Sequence, residues 1–497
     1  MADQLNPQVL AAYGGTVART PHIDGLAKAG VTFASAYCNS PLCAPSRFSF
    51  MSGQLPSAIG AYDNAAEFAA DTPTFAHYLR RAGYRTLLSG KMHFCGADQL
   101  HGFEERLTPD IYPADFGWTP DWTRFEHRPT WYHSMESVTQ AGPCVRSNQI
   151  DFDEEVVYTA RRKLFDIARS SDGRPFCMVV SMTHPHDPFT IPHAYWDRYA
   201  GAAIPMPRVT LPVRELDAHS LRLRHVCGMD LQPITPQQIL AARRAYFGAV
   251  SFVDDQIGTL MRALEQAELA DDTITLILAD HGEMLGERGL WYKMNFFEGG
   301  SRIPLIVHAP KRFAPRTVDG SVSLVDILPT LLDVAGLEVD RDAGAPLAGR
   351  SLAAHLHGAG GHDRVDAEYL AEGAIAPMVM IREGRYKFIH CPADPDQLYD
   401  LQQDPDELVN LAAAPEHRQR REEYLRQIAA RLSLPRLHAQ VMASQRRRIF
   451  VNESLRLGRH TAWDYTPPRD GGQEYVRNRM DLEVMEAMAR FPKPTSR

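Results

Sequence analysis

One short segment of the chain limits the possible folds more than any other. Residues 274–279 form a nearly continuous apolar run, which Asp280, His281 and Gly282 follow directly. Such a run is typical of a strand that is buried on both faces, as in parallel sheets covered by helices. Side chains that follow such a strand lie at the carboxyl edge of the sheet, where α/β proteins bind ligands. The segment therefore predicts an α/β fold with a site at this edge.

Alternating helix and strand patterns continue along most of the chain. The pattern predicts helices over 22–30, 73–83, 154–169, 236–267 and 326–335, with an interruption of the fourth near Gly248. It predicts strands over 31–35, 85–89, 176–182 and 302–308, and a hairpin of two strands around Glu383 and Gly384. A Gly- and His-rich stretch at 358–362 has the composition of a linker. We therefore expect a catalytic domain over 1–360 and a smaller C-terminal domain over 361–497.

The composition narrows the choice of partner and compartment. The 497 residues are 44% hydrophobic and carry a formal net charge of −8, with a pI near 6.2. This balance argues against nucleic acid as a partner, because phosphate binding needs a basic face. The seven cysteines are scattered and include no Cys-x-x-Cys pair, which favours a reducing compartment over a disulfide framework. No leader or membrane-spanning run is visible, and we expect a cytoplasmic protein without a membrane partner.

Cys43 lies in the string Cys-Ala-Pro-Ser-Arg, just before a segment of small residues that predicts a helix. A thiol at a helix N-terminus, beside the Arg47 guanidinium, is expected to have a lowered pKa and to face an anion site. A structural role is the alternative, because a free cysteine is usually a small core residue. These considerations leave both interpretations open.

The complete string from Cys43 to Arg47 resembles the signature of the type I sulfatases, in which the cysteine is oxidised after translation to formylglycine. The resemblance implies an alkaline-phosphatase-like sandwich with a mainly parallel central sheet and a smaller C-terminal α+β domain. It implies hydrolysis of a sulfate ester through a formylglycine hydrate, which a formylglycine-generating or equivalent maturation enzyme makes from Cys43. Blocks at 54–67, 98–118 and around Trp463 resemble the choline sulfatases within this family, whose substrate is choline sulfate.

The resemblance also assigns roles to individual residues. Those implied for catalysis and sulfate binding are Cys43, Arg47, Lys91, His93, His186 and Lys293. Those implied as metal ligands are Asp3, Gln4, Cys43, Asp280 and His281. Hard oxygen ligands favour a divalent ion, with Ca²⁺ expected before Mg²⁺ or Mn²⁺. Two choices stay open, since His184 is an alternative to His186 and either His186 or Lys293 is the acid for the leaving alcohol.

The choline-binding residues implied in the same way are Asn64, Trp118, His133, Glu372 and Asp464. A permanent cation without a conventional hydrogen-bond donor is held by aromatic faces and negative charge. In choline sulfatases the tail reaches a neighbouring subunit, so we expect Asp464 to act in trans in a homo-oligomer. As alternatives, Asn64 is a turn residue and the aromatic insertion over 101–148 is a surface loop that packs on itself.

Two other functions remain open at this point. One is a phosphonate monoester or phosphodiester hydrolase of the same superfamily, which can share the Cys43 signature. The other is a non-catalytic relative that binds choline or an anion, which would apply if Cys43 stays unmodified. A substrate panel separates the first from a sulfatase, and the mass of the peptide over 33–47 separates the second.

The chain begins at the mouth of the predicted site. Only Met1 and Ala2 precede Asp3, too few residues for the strand that should carry a metal ligand. We therefore expect the first strand and its lead-in, about ten native residues, to be missing. The two flanking strands would then expose backbone groups, at a cost of roughly 1–3 kcal/mol for each buried unpaired group.

An apolar, strand-forming segment added before Met1 is expected to raise the melting temperature and the metal affinity together, because it would fill the slot beside Asp3. Thermal melts and metal titrations of the two chains check this, with a Gly/Ser segment of equal length as the control. A chain as given that binds metal tightly, and melts no lower than the extended one, would show the expectation to be wrong.

Overall fold

The computed structural model describes residues 1–338, 346–460, 462–473, 475 and 480–492. Its strands are β1 (Val31–Phe33), β2 (Ala36–Tyr37), β3 (Arg85–Gly90), β4 (Glu105–Arg106), β5 (Gly142–Cys144), β6 (Phe176–Ser181), β7 (Thr190–Pro192), β8 (Thr275–Leu278), β9 (Arg302–Ile303), β10 (Leu305–His308), β11 (Arg316–Val318), β12 (Val322–Ser323), β13 (Arg364–Tyr369), β14 (Met378–Glu383), β15 (Tyr386–His390) and β16 (Gln397–Asp400).

The α-helices alternate with these strands over the first two thirds of the chain and then follow them. They are α1 (Pro21–Ala29), α2 (Cys43–Ser52), α3 (Pro56–Ile59), α4 (Phe75–Arg81), α5 (Glu136–Thr139), α6 (Asn148–Arg169), α7 (His193–Trp196), α8 (Ala218–Val226), α9 (Pro236–Gln266), α10 (Glu298–Ser301), α11 (Ile327–Val334), α12 (Ala353–Leu356), α13 (Arg418–Arg431), α14 (Leu434–Leu455) and α15 (Leu482–Ala489). Within the described ranges, none of the helices combines the length and the apolar character needed to cross a bilayer.

Two sheets form the centre of the catalytic part. One has the order β4-β3-β6 and is parallel throughout, as expected. The other has the order β11-β1-β10-β8, in which β10 runs antiparallel to both of its neighbours. The centre is therefore mixed, and its parallel strands still deliver their carboxyl ends to one edge.

The first three residues join these two sheets. Ala2 forms parallel bridges to Met182, just after β6, and to Ala279, just after β8. The backbone N–H of Asp3 also donates to the Met182 carbonyl over 3.2 Å. Among the described residues, β6 and β8 each pair with one other strand, so residues 1–3 form the backbone link between the sheets. Asp3 is consequently buried and held, unlike an ordinary frayed terminal residue.

Two predicted elements differ from those observed, for local reasons. The strand expected over 302–308 is divided into β9 and β10 at Pro304, which has no N–H to donate to a ladder. The helix expected to break near Gly248 is continuous as α9. A Cβ at Gly248 would lie 3.0 Å from Ile191 Cγ2 and 3.4 Å from the Tyr195 backbone. The glycine therefore permits close packing of α9.

The antiparallel sheet β13-β14-β15-β16 lies between two cores, and β14 and β15 form the predicted hairpin. Met378 and Met380 of β14 belong to the large core shared with the catalytic part. Val379 and Ile381, on the opposite face of the strand, pack with Tyr424 of α13 in a smaller core. Alternate side chains point to opposite faces of a strand, which explains this division. The domain division at residue 360 stays a prediction.

Candidate active site

The amino end of α2 and the carboxyl ends of several strands meet in one buried cluster. Cys43 is the first residue of α2, every residue of which is buried. Ligand atoms of Asp3, Cys43, Asp280 and His281 all lie within 4.8 Å of one another. Positions that are far apart in the sequence therefore converge at the predicted edge of the sheet.

Arg47, one turn into α2, holds this cluster together. Its Nε donates to Asp280 Oδ2 over 2.8 Å, and its Nη2 donates to Asp3 Oδ2 over 3.2 Å. Its Nη1 donates to Ser181 Oγ over 2.8 Å and to the Lys91 carbonyl oxygen. Burial lowers the pKa of Arg47, but Asp280 and Asp3 more than offset this and hold the pKa above its ordinary value. The guanidinium therefore remains charged without any access to water.

Cys43 does not have the low thiol pKa that its helix position suggests. Its Sγ lies 3.2 Å from His281 Nε2 and 3.7 Å from Lys91 Nζ. Burial, followed by the Asp3 carboxylate, raises the pKa of Cys43 to about 11. The expectation of a lowered pKa is therefore wrong, because burial and the Asp3 carboxylate outweigh the nearby Lys293 and Lys91 charges. Cys43 would not act here as a free thiolate.

The donor atoms at this cluster fit a divalent cation. His281 Nδ1 donates to the Gly282 carbonyl over 3.1 Å, so the lone pair of Nε2 faces the cluster. Burial lowers the pKa of His281 to about 4, which keeps the ring neutral. Burial raises the pKa of Asp3, but Lys91 with its cationic neighbours holds it well below its ordinary value. A carboxylate pair with a neutral imidazole is a suitable ligand set for such an ion.

Gln4 lies beside this cluster, between two charged groups. Its side-chain oxygen accepts a hydrogen bond from Lys293 Nζ over 2.7 Å. Its amide nitrogen donates to Glu283 Oε2 and, over 3.4 Å, to Asp187 Oδ1. Burial raises the pKa of Glu283 to about 7. Gln4 therefore orients Lys293 in this structure, and its role as a ligand stays a prediction.

His186, and not His184, joins the Lys293 side of the site. His186 Nδ1 donates to the Asp187 carbonyl over 2.7 Å, so Nε2 accepts the hydrogen bond from Lys293 Nζ over 2.7 Å. Burial and Lys293 hold the pKa of His186 well below its ordinary value. His184 instead contacts Asp153 Oδ2 over 2.7 Å. In the His186–Lys293 pair Lys293 Nζ is therefore the hydrogen-bond donor.

His93 is buried with both ring nitrogens unpaired within the described part of the chain. Burial, and then Lys91, lower the pKa of His93 to about 3. The backbone of this loop is fixed, since Asp110 Oδ2 accepts the N–H groups of Met92 and His93 over 3.0 and 2.9 Å. Unpaired buried polar atoms are costly. A rigidly placed ring whose nitrogens have no hydrogen-bond partner indicates a group that is available to bind a ligand.

Aromatic rings form one wall of the site. The Tyr112 ring lies 4.1 Å from Lys91 Nζ and makes an edge contact with Trp118, with centroids 5.0 Å apart. His133 lies 5.5 Å from the His186 ring and stacks on Tyr292 at 4.4 Å. The insertion that carries Trp118 and His133 therefore reaches Lys91 and His186, whereas packing on itself was the alternative.

The remaining predicted residues occupy different surroundings. Glu372 is buried, and its Oε2 has no hydrogen-bond partner among the described residues. Burial chiefly raises the pKa of Glu372 to about 7. Asn64 Oδ1 accepts the N–H of Ala44, the residue after Cys43, over 3.0 Å. Asn64 therefore contacts the start of α2, a contact that a residue serving only a turn would not need. Asp464 is exposed and accepts the N–H of Ala114 in its own chain over 3.0 Å, so its action in trans stays a prediction.

Sequence reasoning missed several residues that shape the site. They are Asp110, Tyr112, Ser181, Asp187 and Glu283. Two of them lie in the 98–118 block, and two lie within two positions of a predicted histidine. An acidic residue next to a motif was the available signal, but its partner is visible only in the fold.

The comparisons with known proteins agree with this geometry. The sequence model of the sulfatase family matches residues 1–337. This chain belongs to the sulfatase family. The model described as "Choline sulfatase enzyme C terminal" matches residues 439–491, and that of the N-sulphoglucosamine sulphohydrolase C-terminal region matches 286–433.

Individual sulfatase relatives cover almost the whole chain. The choline-sulfatase of Rhizobium meliloti is 44% identical over 501 residues, which span 99% of this chain and 98% of that protein. An arylsulfatase of Clostridium perfringens is 25% identical and spans 86% of this chain and 92% of its own length. The phosphonate monoester hydrolase of Agrobacterium radiobacter, 25% identical, superposes with a TM-score of 0.68 over 88% of this chain and 94% of its own. The alkaline-phosphatase-like fold of the sulfatases is thereby confirmed.

Replacing the central guanidinium should destabilise this sulfatase strongly. Arg47→Met would leave Asp3 and Asp280 buried without their shared partner, and the free energy of unfolding should fall by about 3–5 kcal/mol. Urea unfolding with a metal chelator present measures the loss. Arg364→Met, whose pair with Asp366 is a quarter exposed, is the control and should cost at most about 1 kcal/mol. Equal losses in the two variants would contradict a central role for Arg47.

Proposed function

We propose that this sulfatase hydrolyses choline sulfate to choline and sulfate. One observation carries the proposal: two buried lysines, Lys91 and Lys293, accompany a wall of aromatic rings, and the buried Glu372, close enough to feel the charge of Lys293, has one carboxylate oxygen without a hydrogen-bond partner among the described residues. A pair of cations suits the sulfate group, and rings with a carboxylate suit the quaternary ammonium. The 44% identity to a choline-sulfatase over nearly the whole chain supports the same substrate.

The sulfate end would lie between Lys91 and Lys293. Both side chains are fully buried, and Lys91 Nζ is 3.7 Å from Cys43 Sγ. Fixed cations in a site without water stabilise the charge that develops on sulfuryl oxygens. His93, whose two ring nitrogens have no hydrogen-bond partner in the described ranges, would supply a further polar contact at this end.

Two groups would complete the chemistry. Formylglycine at position 43 supplies the nucleophilic oxygen, and a divalent ion supplies Lewis-acid charge stabilisation when bound by Asp3, Asp280 and His281, with Gln4 beside them. We propose Ca²⁺ before Mg²⁺ or Mn²⁺, because carboxylate oxygens dominate the ligand set. Arg47 holds both carboxylates in place for this purpose.

Lys293 would deliver the proton to the leaving choline oxygen. It donates to His186 Nε2, which is an acceptor because its own Nδ1 donates to Asp187. His186 therefore orients the ammonium group, and the proton resides at Nζ of the lysine before it is transferred. We therefore propose Lys293, rather than His186, as the acid.

The choline end would meet Trp118, His133 and Glu372. A trimethylammonium group gains from contact with aromatic faces, and the buried Glu372 carboxylate, one oxygen of which has no hydrogen-bond partner among the described residues, gains a counter-charge. From the similarity to choline sulfatases we also propose a homo-oligomer in which Asp464 acts in trans, and maturation by a formylglycine-generating enzyme. The seven free cysteines favour a cytoplasmic location.

Variants of the nucleophile should separate catalysis from packing. Cys43→Ala and Cys43→Ser should both fold, yet turnover should be lost in the first and nearly lost in the second. A serine can accept the sulfuryl group, but it has no second hydroxyl through which to release sulfate. Steady-state assays and the mass of the peptide over 33–47 check this. Substantial turnover by Cys43→Ser would contradict the mechanism.

Substrate choice should depend on the aromatic wall. Trp118→Ala should weaken binding of choline sulfate by about 2 kcal/mol, or tens of fold in KM, and should affect a small neutral sulfate ester far less. Trp196→Ala, at a tryptophan that packs under Arg244, is the control. Kinetics on choline sulfate, an aryl sulfate and a phosphodiester measure the difference. Equal losses on all esters would show Trp118 to be structural, and a preference for the phosphodiester would contradict the proposed substrate.

A further inference from the structure

Helix α14 of the C-terminal region inserts two buried polar side chains, Gln445 and Arg448, towards loops of the catalytic part. They are three positions apart and so lie on one face of the helix. Arg448 donates from Nη1 and Nη2 to the two carboxylate oxygens of Asp63, each over 2.6 Å. The hydrogen bonds given for Arg448 and Asp63 do not include Cys43, Lys91 or Lys293, and the proposed mechanism does not use this ion pair.

The Asp63 pair leads directly to the nucleophile. Asp63 is fully buried, and the next residue, Asn64, accepts the N–H of Ala44 over 3.0 Å. Ala44 follows Cys43 at the start of α2. A two-pronged Arg–carboxylate pair fixes the plane and position of the carboxylate. Arg448 thereby fixes the loop that holds the amide after Cys43.

The same guanidinium also holds the loop of the choline wall. Arg448 Nη1 donates to Thr119 Oγ1 over 3.1 Å, and Thr119 is the residue after Trp118. The Thr119 hydroxyl in turn donates to the Phe116 carbonyl over 2.8 Å, which closes the turn. One side chain thus contacts the loops that carry Asn64 and Trp118.

Gln445 makes a similar indirect contact with the segment that carries the buried Glu372 carboxylate. Its side-chain oxygen accepts the N–H of Trp122 over 3.0 Å. The indole N–H of Trp122 donates to the carbonyl of Ala371, which precedes Glu372, over 3.0 Å. The face of α14 therefore connects to each of the three segments that carry Asn64, Trp118 and Glu372.

We propose that Arg448 is a positioning residue that sets the spacing between the nucleophile at Cys43 and the choline wall at Trp118. The part that concerns choline rests on the proposed function. Arg448→Lys keeps the positive charge but loses the fork of donors that reaches Asp63 and Thr119 together. It therefore tests position rather than charge.

Arg448→Lys should lower the turnover of nitrophenyl sulfate by about tenfold and should also raise the KM for choline sulfate, since a small misplacement in a catalytic site costs up to about a hundredfold. Thr119→Val removes the two hydrogen bonds of the Thr119 hydroxyl, to Arg448 and to the Phe116 carbonyl, and leaves the Arg448–Asp63 pair in place. It should raise the KM for choline sulfate several-fold and leave the turnover of nitrophenyl sulfate unchanged. Arg385→Lys, at an Arg–Asp400 pair in the turn between β14 and β15, away from these loops, is the control and should change neither value.

The proposal would be overturned if the activity of Arg448→Lys fell only in proportion to its folded fraction. In that case the ratio of the KM for choline sulfate to the KM for nitrophenyl sulfate would be unchanged. If Arg448→Lys does not fold, the double variant Asp63→Asn/Arg448→Met, which removes both charges, takes its place in the experiment. An unchanged ratio of the KM for choline sulfate to the KM for nitrophenyl sulfate in the double variant would equally overturn the proposal. A wild-type enzyme that hydrolyses nitrophenyl sulfate but not choline sulfate would refute the substrate alone. The nitrophenyl sulfate turnover of Arg448→Lys would then still test the branch through Asn64.

Discussion

A single buried guanidinium determines how the catalytic centre is built. Arg47 bonds to Asp3 at the start of the chain, to the Lys91 carbonyl after β3, to Ser181 at the end of β6 and to Asp280 after β8. These strands belong to two sheets that residues 1–3 join. The cation that neutralises two carboxylates therefore also aligns the strand ends that carry them, and site and fold depend on the same contacts.

Charge balance in this centre follows from burial. His93, His186 and His281 are neutral because burial lowers their pKa, while Lys91 retains its proton because the pull of Asp3 exceeds the cost of burial. Neutral imidazoles accept from a lysine or offer a lone pair, whereas charged ones would repel the neighbouring cations. The site thus presents cations where a sulfate would lie and neutral donors and acceptors around it.

The C-terminal part contributes to the site by contacting the loops that carry Asn64 and Trp118. The sheet β13-β14-β15-β16 shares one core with the catalytic part, and α14 reaches the loops beside Cys43 and Trp118 through Arg448. The family match at residues 439–491 begins within this helix. The part of this segment that lies in α14 thus contacts, through Gln445 and Arg448, the loops that carry the candidate choline wall.

The sequence by itself determined the fold class, the edge of the sheet that carries the site and most of the residues there, because an apolar strand followed by Asp280-His281 and the Cys43–Arg47 string are local patterns. It did not determine the protonation of Cys43 or the choice of His186 over His184, since both depend on burial and on partners far away in the chain. The partners of Tyr112, Glu283 and Arg448 could not be predicted for the same reason. A local pattern fixes a backbone element, but only the packed structure decides which charges are buried together, and desolvation makes that decision energetically dominant.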